Sequence, residues 1–66
     1  MTLGQLEKLL ELLLRGRSNE EKKLTDEFSL ERDNPAKIEY LRVSIREYNE
    51  MIEKIMTDIQ QMYNAV

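Results

Sequence analysis

The strongest constraint on this chain is a run of apolar residues, spaced alternately three and four apart, through its second half. Ile38, Leu41, Ile45, Tyr48, Ile52, Ile55, Ile59, Met62 and Val66 keep that rhythm without a break. An α-helix, at 3.6 residues per turn, brings such positions onto one face. Read as heptads, the a positions are Ile38, Ile45, Ile52, Ile59 and Val66, and the d positions are Leu41, Tyr48, Ile55 and Met62. Four sustained heptads predict coiled-coil-like packing, with a left-handed winding of the seam around whatever covers it. The chain after Pro35 contains no glycine or proline. A single helix over about 35–64 is therefore expected, roughly 45 Å long at 1.5 Å per residue.

Its beginning is marked by Asp33-Asn34-Pro35. Asparagine is a favoured N-cap, proline at the first helical position loses no hydrogen bond, and proline turns the residue before it away from helical geometry. The first half carries two further start signals. Thr2 with Gln5 has the form of a capping box, and leucines recur at 3, 6, 10 and 13. Gly16 after Arg15 suits a helix end, and Ser18-Asn19-Glu20-Glu21 suits a second start. The spacing predicts helices over about 3–15 and 19–32. The second has a thin apolar face of Leu24, Phe28 and Leu30; Lys22–Asp26 and Lys23–Glu27 attract along it, while Glu27 and Glu31 repel. The fold class read from these signals is all-α, one domain. It is a helical hairpin or three-helix arrangement with a long C-terminal coiled-coil-like helix, assembled as an oligomeric helical bundle.

Composition narrows the function. The 66 residues include no cysteine and no histidine. Disulfides, thiolate chemistry, the usual zinc and haem ligands and the commonest general bases are thereby absent. No acidic stretch has the spacing of a Ca²⁺ loop, and no glycine-rich loop is present to cradle phosphate. The expectation is a protein that is not an enzyme, with no catalytic residues, no cofactor and no metal. The longest apolar run, Leu12-Leu13-Leu14, is far short of the roughly 20 residues of a membrane span. No basic segment followed by a long apolar one marks a secretory signal, so a cytoplasmic protein without a membrane partner is expected.

Association remains as the means of stabilising so small a core. The seven leucines of the first segment, 3, 6, 9, 10, 12, 13 and 14, cover an arc of roughly 200°, about twice the stripe needed for one packing contact. Tyr40, Val43, Met51, Met56 and Tyr63 lie off the long seam. Leu9 and Leu12, off the 3-6-10-13 stripe, are expected to face a second chain. The expected protein interface comprises Leu3, Leu6, Leu9, Leu10, Leu12, Leu13, Ile45, Tyr48, Met51, Ile52, Ile55, Met56, Ile59, Met62 and Tyr63. Methionine and tyrosine are favoured on adaptable interfaces. The chain thus reads as a homo-oligomer, dimer or higher, that also binds a protein partner as a small regulator, inhibitor, adaptor or assembly factor.

The competing reading is a small nucleic-acid-binding regulator. Arg15, Arg17, Lys22 and Lys23 form a local basic cluster. The segment from Leu12 to Glu21, leucine-rich and then Arg-Gly-Arg-Ser-Asn-Glu-Glu, resembles the start of LuxR-type helix-turn-helix domains. That resemblance implies a turn at Gly16 and a new helix from Ser18. It covers about ten residues, and the sequence departs from it at Lys22, Lys23 and Pro35. A formal net charge of −3 also opposes binding to nucleic acid.

Overall fold

In a computed structural model, the described residues form two helices packed side by side as an antiparallel hairpin. The structure describes residues 1–29 and 34–65. Helix α1 spans Leu3–Ser29 and helix α2 spans Pro35–Asn64. The hairpin is a rod 51 Å long and 14 Å across. Three contacts fix its antiparallel register: Glu27 with Lys37 near the turn, Arg17 with Asn49 at mid-length, and Glu7 with Tyr63 at the open end.

Both helix starts form as their local chemistry dictates. Gln5 donates its backbone N–H to the Thr2 hydroxyl at 3.2 Å, and Thr2 donates its own to the Gln5 side chain at 2.9 Å. These two bonds satisfy donors that a helix start leaves unpaired. At α2, the Asn34 side chain accepts from the Lys37 backbone N–H at 3.2 Å, with Pro35 in the first turn. Asn34→Ala should destabilise the fold by about 1 kcal/mol, the usual loss for an N-cap. A urea melt followed by circular dichroism checks this. An unchanged midpoint would mean that α2 does not depend on the cap.

The expected break at Gly16 is corrected. α1 runs unbroken through Gly16, Ser18 and Asn19, so the helices expected over 3–15 and 19–32 are one, and the Ser18 capping box does not form. Gly16 does not adopt the left-handed backbone of a helix end. The reason for continuity lies in phase. The 3-6-10-13 stripe continues in the same step through Arg17, Glu20, Leu24 and Glu27. One straight helix can therefore keep a single face on α2 for its whole length. Gly16 serves that packing: a Cβ there would stand 2.6 Å from the Tyr48 hydroxyl oxygen. The few tenths to 1 kcal/mol that glycine costs in a helix interior is small beside eight turns of packing. The expected contributions of Leu30 and Glu31 to the first half, and of Val66 to the long seam, lie outside the described residues.

The core is thin, as two helices alone must make it. Leu6, Leu41 and Ile52 are the buried apolar side chains among the described residues. Leu3, Leu10, Leu13, Leu24, Ile38, Ile45, Tyr48, Ile55 and Ile59 are half-buried along the same seam. Toward the turn, α1 contributes polar residues to the seam. Glu27, only 6% exposed, is held at 2.7 Å by the Lys37 ammonium. A buried carboxylate needs such a partner, because leaving it unpaired costs several kcal/mol.

Candidate interaction surface

The heptad letters define the geometry of the surface. On α1, Leu3, Leu10, Arg17 and Leu24 are a positions and Leu6, Leu13, Glu20 and Glu27 are d positions, matching the a/d seam of α2. The e and g positions lie on opposite sides of this seam, about 75° away from its centre, since successive residues turn by about 100°. Antiparallel packing puts the e positions of both helices on one flank of the rod and the g positions on the other.

The contacts agree with this assignment. Glu7 and Tyr63, both e, meet through a hydrogen bond from the Tyr63 hydroxyl to the Glu7 carboxylate at 3.3 Å. Arg17 at a donates to the Asn49 side chain at e, at 3.0 Å. On the opposite side, Gly16 at g lies under the ring of Tyr48 at d.

Seven-residue steps from the Glu7–Tyr63 contact define the first flank. Leu14 comes opposite Met56, Glu21 opposite Asn49, and Phe28 opposite Arg42. Leu14 is 40% exposed, Met56 56%, Phe28 54% and Tyr63 59%. The second flank carries Leu9 and Met51, with Leu12 beside them and Tyr40 nearer the turn. Its g positions also include Lys23, Lys37 and Asp58. At the open end of this flank a shallow depression of about 380 Å³ is lined by Met1, Leu6, Asp58, Gln61, Met62 and Ala65.

The residues expected at an interface divide in two. Leu6 and Ile52 are buried within the hairpin, and Leu3, Leu10, Leu13, Ile45, Tyr48, Ile55 and Ile59 are partly covered along its seam. Leu12, Met51, Met56, Met62 and Tyr63 are exposed, and Leu9 is half-buried. Leu14, Phe28 and Tyr40 are exposed as well, although the sequence reading did not place them at the interface. The signal for Leu14 was its e position beside the 3-6-10-13 stripe, and that for Phe28 was the same position once α1 is taken as one helix in one phase.

The basic cluster is dispersed by the helix. Arg15 and Lys22 occupy outer f positions, Arg17 lies at a and Lys23 at g. Arg15 pairs with Glu11 at 2.7 Å, Arg17 approaches Glu21 at 3.6 Å, and Lys23 approaches Glu20 at 3.4 Å. These are surface pairs that contribute little to stability, but they set acidic groups beside most of the cluster. The turn implied at Gly16 by the helix-turn-helix resemblance is absent, since α1 is continuous there.

No group of three or more carboxylates is placed to hold a metal ion among the described residues, and every buried side-chain polar atom there has a partner. No helix of the described residues is long and apolar enough to cross a membrane. Compared with protein-family models, with curated proteins and with solved structures, the chain matches none of them.

Proposed function

We propose that this chain is a noncatalytic protein-binding module, a small regulator, inhibitor, adaptor or assembly factor that acts by laying the flanks of a helical hairpin against protein. The observation that carries this reading is the number of large apolar side chains left in water along so narrow a rod. Leu12, Leu14, Met51, Met56 and Tyr63 are each at least 40% exposed. Isolated apolar groups on a surface need no explanation, but rows of them on both flanks mark a contact surface. Methionine and tyrosine suit that role: one adapts its shape, and the other combines a large apolar ring with a polar tip.

The surface area supports the same reading. The chain exposes 5277 Å², whereas a compact monomer of its 7.9 kDa mass would expose about 4,400 Å². Its radius of gyration is 15.2 Å against about 11 Å for a globule of this length. The difference in area, about 900 Å², is close to one partner's share of a standard protein interface.

Affinity capture from the native cells tests the proposal, using the wild-type chain beside two double variants. One carries Leu12→Lys and Met51→Lys, the other Leu14→Lys and Met56→Lys. Specific capture of protein that is lost with at least one variant is the expected result. Identical capture by all three chains would defeat the reading. So would capture of nucleic acid that depends instead on Arg15, Arg17, Lys22 and Lys23.

A further inference from the structure

We infer that the flank bearing Leu14, Met56 and Tyr63 is covered by a second copy of this chain. The two hairpins lie with their open ends together, forming a four-helix bundle. This deepens the protein-binding reading and rests on it.

Size is the first argument. One flank of a rod 51 Å long and 14 Å across presents on the order of 800 Å² once its side chains are included, what a stable dimer uses on each side. The surface that this chain exposes beyond a compact monomer is of the same magnitude.

Self-complementarity is the second argument, and it selects both the partner and the orientation. A two-fold axis along the rod lays α1 of one copy over α2 of the other at the same height. Leu14 then covers Met56 of the second copy, and Phe28 offers its ring face to the Arg42 guanidinium of the second copy, a favourable cation–π pairing. Glu21 meets Asn49 of the second copy, so a polar layer meets a polar layer. Reversing one hairpin would instead set Leu14 against Glu21 of the second copy, an apolar side chain against a carboxylate that reaches Arg17 of its own helix only at 3.6 Å. At the open end, Glu7 already accepts a hydrogen bond from Tyr63, which lessens the penalty of bringing that carboxylate near an interface.

Sedimentation equilibrium of the full chain at micromolar concentrations is the direct test. The expected mass is twice the 7.9 kDa of one chain. Leu14→Glu with Met56→Glu should raise the concentration at half-dissociation by about a hundredfold or more. Leu12→Glu with Met51→Glu, on the opposite flank, should leave it within a few-fold. The absence of cysteine allows an orientation test that does not depend on a disruptive variant. An oxidised mixture of the Leu14→Cys and Met56→Cys chains should cross-link to each other. Hairpins lying in opposite directions would instead join Leu14→Cys to Glu21→Cys.

A monomeric wild-type chain, a dimer indifferent to the Leu14 and Met56 changes, or the reversed cross-link would each overturn the inference. A monomer that still captures another protein through either flank would do so while leaving the protein-binding reading intact. Loss of both self-association and flank-dependent capture would remove the two together.

Discussion

Replacing Leu41 by alanine is expected to lower stability by about 2–5 kcal/mol, enough to unfold much of the population. Leu41 is 2% exposed, the most completely covered side chain among the described residues. It sits in the turn-proximal half, where α1 offers Arg17, Glu20 and Glu27 at seam positions and Leu24 alone among aliphatic residues from Arg17 to Glu27. Truncation there removes apolar contact and opens a cavity that few neighbours can fill. Native domains are stable by about 0.05–0.15 kcal/mol per residue, so a chain of this length holds only about 3–10 kcal/mol in total. The adjacent Tyr40, 69% exposed, provides the contrast: Tyr40→Ala should change stability by no more than about 0.5 kcal/mol. Urea denaturation at matched protein concentration measures both, the match being needed because association would add to apparent stability. Equal midpoints for the two variants would place the core somewhere other than the a/d seam.

The sequence was legible where structure depends on neighbours in the chain. The Thr2–Gln5 box, the Asn34 cap and the bounds of α2 each rest on residues within about three positions of one another, and each forms as expected. The heptads of α2 named its buried face for the same reason, since one helix carries its own periodicity. What depends on the opposing helix was not legible. Lys23 and Glu27 looked like an i,i+4 pair, yet Glu27 is held by Lys37 across the hairpin and Lys23 turns to Glu20. That exchange follows from the register of α1 on α2, which no local pattern states.

The seam of α1 was hidden for a related reason. Arg17, Glu20 and Glu27 occupy seam positions, so a search for apolar repeats loses the stripe after Leu13 and finds only Leu24. The aliphatic stems of such residues can cover apolar surface while their charged ends reach a partner or water. Counting phase rather than hydrophobicity would have carried the stripe through Gly16. It would also have put Leu14 and Phe28 on the same flank as Met56 and Tyr63. The candidate surface was therefore partly visible: its methionines and tyrosine stood out as off-seam residues and Leu14 belonged to the surplus leucines, while Phe28 required α1 to be one piece.

Gly16 supplies the second large expected effect, and its sign is the informative part. In an exposed helix interior, glycine to alanine should stabilise by up to about 1 kcal/mol. Gly4, in the first turn of α1, has equal room: a Cβ there meets no atom within 4 Å, so Gly4→Ala should be neutral or mildly favourable. At Gly16 the same Cβ would lie 2.6 Å from the Tyr48 hydroxyl oxygen and 2.7 Å from its Cε1 and Cζ atoms. Those distances are far inside contact, so the ring must leave the groove or the helices must part. Overpacking of this kind costs about 1–3 kcal/mol, which exceeds the propensity gain and makes Gly16→Ala destabilising. The test is a double-mutant cycle with Tyr48→Ala. Once the ring is gone, Gly16→Ala should become stabilising by up to about 1 kcal/mol, giving a coupling of about 1–3 kcal/mol between the two sites, the overpacking cost itself. Additive effects within experimental error would show that Gly16 is not a notch for Tyr48. The glycine would then have no packing role, and the continuity of α1 would rest on the phase of its seam alone.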